Sequence, residues 1–255
     1  MRFRHVNPQT RIIPSALPFS LGEGPRAILL LHGFTGYPID MQPLAQPLAE
    51  ARFHVRVPRL PGHGSDGKDF QSSDWKDWLR RGIDEYLELA SVYQPVYVAG
   101  LSMGGLLASL LAARFSVEKT LLLAPAFQVT NPLIAISGVV GLFLEKLRGG
   151  SHEAYQDPQM EQISREYWDY LWPRQTWGLK RLQSMALRGL PQIPGKILTI
   201  VSESDETVPA SVAALVEKRA TAARPETIRL LNSGHVLTRD SEADTVIDES
   251  VRFFT

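Results

Sequence analysis

Short apolar runs alternate with stretches of helical periodicity along most of this sequence. Arg26–Leu31 reads RAILLL, Lys119–Leu123 reads KTLLL and Lys196–Val201 reads KILTIV. Continuous runs of this kind suit strands buried on both faces of a parallel sheet. Further strands are predicted at Phe53–Val57, Val96–Ala99 and Thr227–Leu231. Between them, apolar residues fall at helical spacing. Met41, Leu44 and Leu48 mark one helix; Trp75, Trp78, Leu79, Ile83 and Tyr86 mark another, which Asp74 can cap. Helices are also predicted after Ser102 to about Arg114, at Ala210–Ala220 and at Glu242–Phe254. Strand-helix alternation over most of the chain implies an α/β fold, with a mostly parallel sheet and helices on both faces.

One segment breaks the order. From Ala126 to Ile193 no core strand is predicted. The segment holds an apolar run, PLIAISGVVGLFLEK from Pro132, and an aromatic stretch, EYWDYLWPRQTW, ending at Trp177. It is read as a helical cap over the C-terminal edge of the sheet. The core then comprises residues 1–125 and 194–255. The apolar run is shorter than the roughly 20 residues a bilayer requires, so no integral membrane segment is expected. The first residues, MRFRHVNPQT, lack the apolar centre of a signal peptide. A soluble, cytoplasmic protein is the expectation.

Composition removes several classes of chemistry. Lys plus Arg and Asp plus Glu both number 27, so no net charge draws the chain toward nucleic acid. There is no cysteine, which excludes disulfides, zinc–thiolate sites and a cysteine nucleophile.

The stretch VYVAGLSMGG, from Val96 to Gly105, places a serine where a strand turns into a helix. Gly100-Leu101-Ser102-Met103-Gly104 fits G-x-S-x-G, a turn that raises the serine hydroxyl above the strand ends. A serine hydroxyl needs a base to become nucleophilic. Of six histidines, His235 in LNSGHVLTRD follows the last predicted strand, at the edge where Ser102 projects. His32 and His63 lie inside motifs with other roles, and His32 is expected to make structural hydrogen bonds in its loop. The base needs an acid to orient it. Asp205 in SESDETVP follows the strand beginning at Lys196, with Glu203 and Glu206 as competitors. The order serine, acid, histidine is that of a G-x-S-x-G hydrolase. Two backbone donors for an oxyanion are expected: the N–H of Met103, after the serine, and the N–H of Phe34 in His32-Gly33-Phe34-Thr35-Gly36.

The chain resembles the bacterial carboxylesterases and monoacylglycerol lipases of the α/β-hydrolase superfamily. The resemblance rests on LLLHGFTG at Leu29–Gly36, PRLPGHG at Pro58–Gly64, SDWKDW at Ser73–Trp78, VAGLSMGG at Val98–Gly105, SESDETVP at Ser202–Pro209 and NSGHV at Asn232–Val236. It implies Ser102, Asp205 and His235 as a catalytic triad, with Phe34 and Met103 as oxyanion donors. It also implies an α/β-hydrolase fold with the cap between the sixth and seventh strands. The expected substrate is a small, neutral ester of short to medium acyl chain, monoacylglycerols included. No metal or organic cofactor is expected. Two alternatives remain at this point: the same triad acting on an amide, carbon–carbon or peracid bond, and a non-catalytic protein that uses the pocket to bind a small ligand.

Overall fold

The apolar runs become the inner strands of one sheet in a computed structural model of the protein, which describes residues 9–148 and 170–255. The strands are β1 (Phe19–Leu21), β2 (Arg26–Leu31), β3 (Phe53–Val57), β4 (Val96–Leu101), β5 (Lys119–Leu123), β6 (Leu147–Arg148), β7 (Tyr170–Leu171), β8 (Lys196–Ser202) and β9 (Arg224–Leu230). Seven of them form the main sheet in the order β1-β3-β2-β4-β5-β8-β9. Short β1 runs antiparallel to β3 at one edge. All other neighbours are parallel. Every residue of β4 is buried, which is why its sequence shows no alternation.

Side chains leave the strands alternately to two faces, and each face carries its own apolar cluster. On one, Leu29, Leu31, Val98 and Leu122 pack with Leu106, Leu107 and Trp78. On the other, Ile28, Leu30, Ala99 and Leu121 pack with Leu44, Leu48, Val246 and Phe254. The helix Met103–Phe115 is buried on nearly all sides, between the sheet and the helices Trp75–Ala90 and Pro173–Gly189. Its all-round apolar sequence follows from that position.

The interrupting segment lies between β5 and β8, which are hydrogen-bonded neighbours in the sheet. That is between the fifth and sixth strands of the main sheet, one fewer than the resemblance implies. The count is lower because, among the described residues, the single short strand β1 precedes β2. The described insertion is also not purely helical. β6 and β7 form a small antiparallel ribbon, with the Lys146 ammonium 4.2 Å from the centre of the Tyr170 ring. The helix Pro173–Gly189 buries Leu179, Leu182 and Ala186 in the same cluster as the helix after Ser102. Tyr167, Trp168 and His152 lie outside the described residues.

Two further differences have local causes. β9 begins at Arg224 rather than Thr227, so it includes Pro225. Proline is tolerated there because β9 is the edge strand of the sheet. The helix Gly67–Ser72 leaves no pattern in the sequence. It is too short for a periodic signal, and its start is fixed by Asp66, whose carboxylate accepts from the N–H groups of Lys68 and Asp69.

Candidate active site

Parallel strands bring their following loops to one edge. β2 feeds the loop His32–Gly36, β4 feeds Ser102, β8 feeds the loop with Asp205, and β9 feeds the loop with His235. Ser102 sits at the centre of that edge. Its backbone adopts φ 55° and ψ −115°, a conformation that costs a non-glycine residue of order 1–3 kcal/mol. Local hydrogen bonds over-determine it. The Ser102 N–H donates to Leu123 O at 2.8 Å, and its carbonyl accepts from Gly105 N at 3.0 Å and Ala126 N at 3.1 Å. The flanking glycines provide clearance. A Cβ on Gly100 would lie 2.1 Å from the Gly104 backbone, and a Cβ on Gly104 would lie 2.0 Å from Leu31 O.

The structure brings His235 and Asp205 together. His235 Nδ1 is 2.8 Å from Asp205 Oδ2, and a carboxylate only accepts, so Nδ1 carries the proton. Nε2 is then the basic nitrogen. The other oxygen, Asp205 Oδ1, accepts from Thr207 N at 2.8 Å and Val208 N at 2.9 Å. The acid is thus fixed in orientation by its own turn. Asp205 is buried, whereas the His235 side chain stays 15% exposed. The competing acids point elsewhere: both are exposed, and Glu203 pairs with Arg229 at 2.8 Å. Among the described residues, Ser102 Oγ makes no hydrogen bond to His235. Such bonds are commonly long until substrate is bound.

The loop after β2 runs against the serine. A Cβ on Gly33 would lie 3.4 Å from Ser102 Cβ. A turn closed by Gly36 N to Gly33 O at 3.2 Å shapes it. The Phe34 ring faces away into an aromatic cluster, with centroids 5.6 Å from Phe70 and 5.7 Å from Trp78. Among the described residues, neither the Phe34 N–H nor the Met103 N–H donates to another protein group. Met103 opens its helix, so its N–H is one of the unpaired donors of a helix start.

His32 and His63 are fully buried and serve the scaffold. The Leu60 N–H donates to His32 Nε2 at 3.0 Å, so His32 carries its proton on Nδ1, 3.0 Å from Gly33 O. Burial lowers the His32 pKa to about 4, with the Arg59 charge adding to the effect and the hydrogen bond to Gly33 opposing it. Burial and then the neighbouring His32 push His63 well below its ordinary value. Both ring nitrogens of His32 are engaged by the backbone, which leaves neither to act as a base. Among the described residues, no three His, Asp or Glu side chains converge as a metal site would require. No helix there is long and apolar enough to cross a membrane.

Residues 28–249 match the sequence profile of the alpha/beta hydrolase family, and the chain belongs to that family. Among curated relatives, it is 31% identical to a thermostable monoacylglycerol lipase of Bacillus sp. (strain H-257), over 98% of each chain. It is 24% identical to a carboxylesterase of Bacillus subtilis (strain 168), over 92% of this chain and 95% of that one. Among solved structures, one of the two metagenome-derived lipolytic enzymes LipS and LipT superposes with a TM-score of 0.85 at 26% identity, covering 95% of this chain and 98% of that one.

Two residues near His235 carry no recognisable motif. Asp240 and Glu242 follow His235 closely in sequence, and their carboxylates hold the loop before it. The available signal was a pair of acids at the start of the last helix, immediately after a glycine-containing loop.

Proposed function

We propose that Ser102, Asp205 and His235 form a catalytic triad, and that the Phe34 and Met103 N–H groups form its oxyanion hole. The chain is a carboxylic ester hydrolase, and this is the machinery we assign to it. The observation that carries the assignment is the 2.8 Å Asp205–His235 contact, at the same sheet edge as the strained turn of Ser102. His235 takes the proton of Ser102 as the hydroxyl attacks the ester carbonyl. The tetrahedral oxyanion rests on the two N–H groups, and His235 returns the proton to the departing alcohol. Water, activated by His235, then releases the acid and restores Ser102.

The substrate class follows the relatives, a monoacylglycerol lipase and a carboxylesterase. A neutral ester of short to medium acyl chain is the proposed substrate, with monoacylglycerols included. The span 126–193 acts as the cap, and its helix Pro173–Gly189 anchors it to the core. The chain works as a soluble enzyme on a small molecule.

The test uses p-nitrophenyl esters of graded length. Wild type is expected to hydrolyse them, with a maximum at short to medium chains. Ser102→Ala is expected to lose the activity, and an organophosphate is expected to label Ser102 and no other residue. A wild type that is inert at every chain length and unlabelled would remove the assignment.

A further inference from the structure

The loop that carries His235 leaves the edge strand β9 and must reach back to the end of its neighbour β8, where Asp205 stands. Such a loop needs anchors. Four consecutive backbone N–H groups precede His235, and all four end on the carboxylates of Asp240 and Glu242, just before the last helix, Ala243–Phe254. Leu231 N donates to Glu242 Oε1 at 3.2 Å, and Asn232 N to Glu242 Oε2 at 2.8 Å. Ser233 donates twice to the same Oε2, from N at 3.0 Å and Oγ at 3.1 Å. Gly234 N donates to Asp240 Oδ2 at 2.7 Å. The carbonyl side of the loop is held from β8 and the acid's own loop: Ser202 Oγ donates to Ser233 O at 2.5 Å, and Ser204 Oγ to Leu231 O at 2.6 Å.

We propose that Glu242 is a positioning residue for the base: its carboxylate gathers the N–H groups of residues 231–233 and thereby sets where His235 stands between Asp205 and Ser102. The inference rests on the reading of His235 as the base. Glu242 is suited to the task because it is ionised and multiply bonded. Burial alone would raise its pKa, but the hydrogen bonds from Asn232, Leu231 and Ser233 outweigh that and lower it. Hydrogen bonds to a charged acceptor are the stronger kind. A neutral side chain there leaves the loop with fewer and weaker restraints. Misplacing a catalytic group by about 1 Å can cost about 100-fold in rate.

The experiment compares Glu242→Gln and Glu242→Ala with wild type on p-nitrophenyl butyrate. Active sites are counted by organophosphate titration, so that kcat is expressed per titrated site. The expected result is a fall in kcat of about 10-fold for Gln and up to about 100-fold for Ala, with KM within about twofold of wild type. In the proton NMR spectrum, the downfield signal of the His235 Nδ1–H, bonded to Asp205, is expected to shift or broaden. A role limited to folding would lower the Tm or the titratable fraction and leave kcat per site and the NMR signal unchanged. That result overturns the proposal. Should the Ala variant fail to fold, the Gln variant, which keeps the shape of the side chain, decides the matter alone. Full activity in Ser102→Ala would strike the triad itself, whereas an inert Ser102→Ala beside unimpaired Glu242 variants strikes only the positioning role.

Discussion

At Ser102 the backbone is held at a positive φ so that one hydroxyl stands above the sheet, and the surrounding residues can be ranked by how they support it. Gly104 supports it by absence. A methyl group there would lie 2.0 Å from Leu31 O, and both partners are backbone of buried elements that cannot move aside. Gly104→Ala is therefore expected to abolish esterase activity and to lower the Tm, measured by p-nitrophenyl ester hydrolysis and thermal melting. A variant with wild-type rate and Tm would contradict the clearance argument. In the proposed triad, Asp205 supports Ser102 through His235. Asp205→Asn keeps the shape but can present N–H to Nδ1, favouring the wrong tautomer. Its kcat is expected to fall on the order of 10³–10⁴-fold with little change in KM. At this scale much of the candidate site was legible. Ser102, Asp205 and His235 each sit in a short motif, and motifs report local backbone constraints. Glu242 was marked only as one of a pair of acids beside the last helix, and its role was not legible, because its partners are backbone N–H groups of another loop. Such donors are present in any sequence and leave no mark in it.

Elements were legible where one physical demand governs a whole run. β2 and β5 have the predicted bounds because burial governs every residue after their first, and β3 has them because buried and half-buried residues alternate along it. Helix starts were legible where a side chain replaces the missing backbone acceptor. Asp74 accepts from Lys76 N at 2.8 Å, while Asp77 accepts from Asp74 N at 2.9 Å, a reciprocal cap on the helix Trp75–Ala90. That helix contributes Trp78 to the cluster behind Phe34, so its first turn also steadies the proposed oxyanion loop. Asp74→Ala is expected to lower unfolding free energy by about 1 kcal/mol in urea melts, with esterase activity nearly intact in native buffer. A loss near zero would mean that packing of Trp78 alone sets the helix start. The ribbon β6–β7 was not legible, because two residues per strand are too few for any period to register. Its paired residues, Leu147 with Leu171 and Arg148 with Tyr170, also lie more than twenty positions apart in sequence.

The whole molecule is electrically balanced at pH 7, so overall repulsion is small there and the first response to falling pH is expected from particular buried groups. His32 and His63 are those groups. Their rings lie 5.1 Å apart, between the loop after β2 and the loop from Pro58 to Gly64. Arg59 is the charged neighbour, and it acts on both in the same direction as burial. His32 has a folded pKa of about 4 against an ordinary 6.5, so the unfolded chain takes up the proton first as pH falls. The stability it contributes is complete above about pH 6.5 and is lost progressively down to about pH 4. For His32 alone that loss is about 3 kcal/mol, a large share of the net stability of an ordinary domain. His63 acts in the same direction and steepens the slope. Asp66 and Glu242 are lowered from their ordinary values of 3.8 and 4.5, so their stabilising contributions are complete above those values and fade as pH falls below them, adding to the loss only at the acid end of this window. Protonating His32 also removes the acceptor for the Leu60 N–H, which ties the two loops together beside Ser102. Urea midpoints are therefore expected to drop steeply between pH 6.5 and 4.5, and His63→Phe, which keeps a ring among Phe70 and Trp78, should flatten the drop. The slope relieved would approach 1.4 kcal/mol per pH unit for each proton no longer taken up. A wild-type midpoint that holds level from pH 7 to 5 would mean that neither imidazole is kept neutral by the fold.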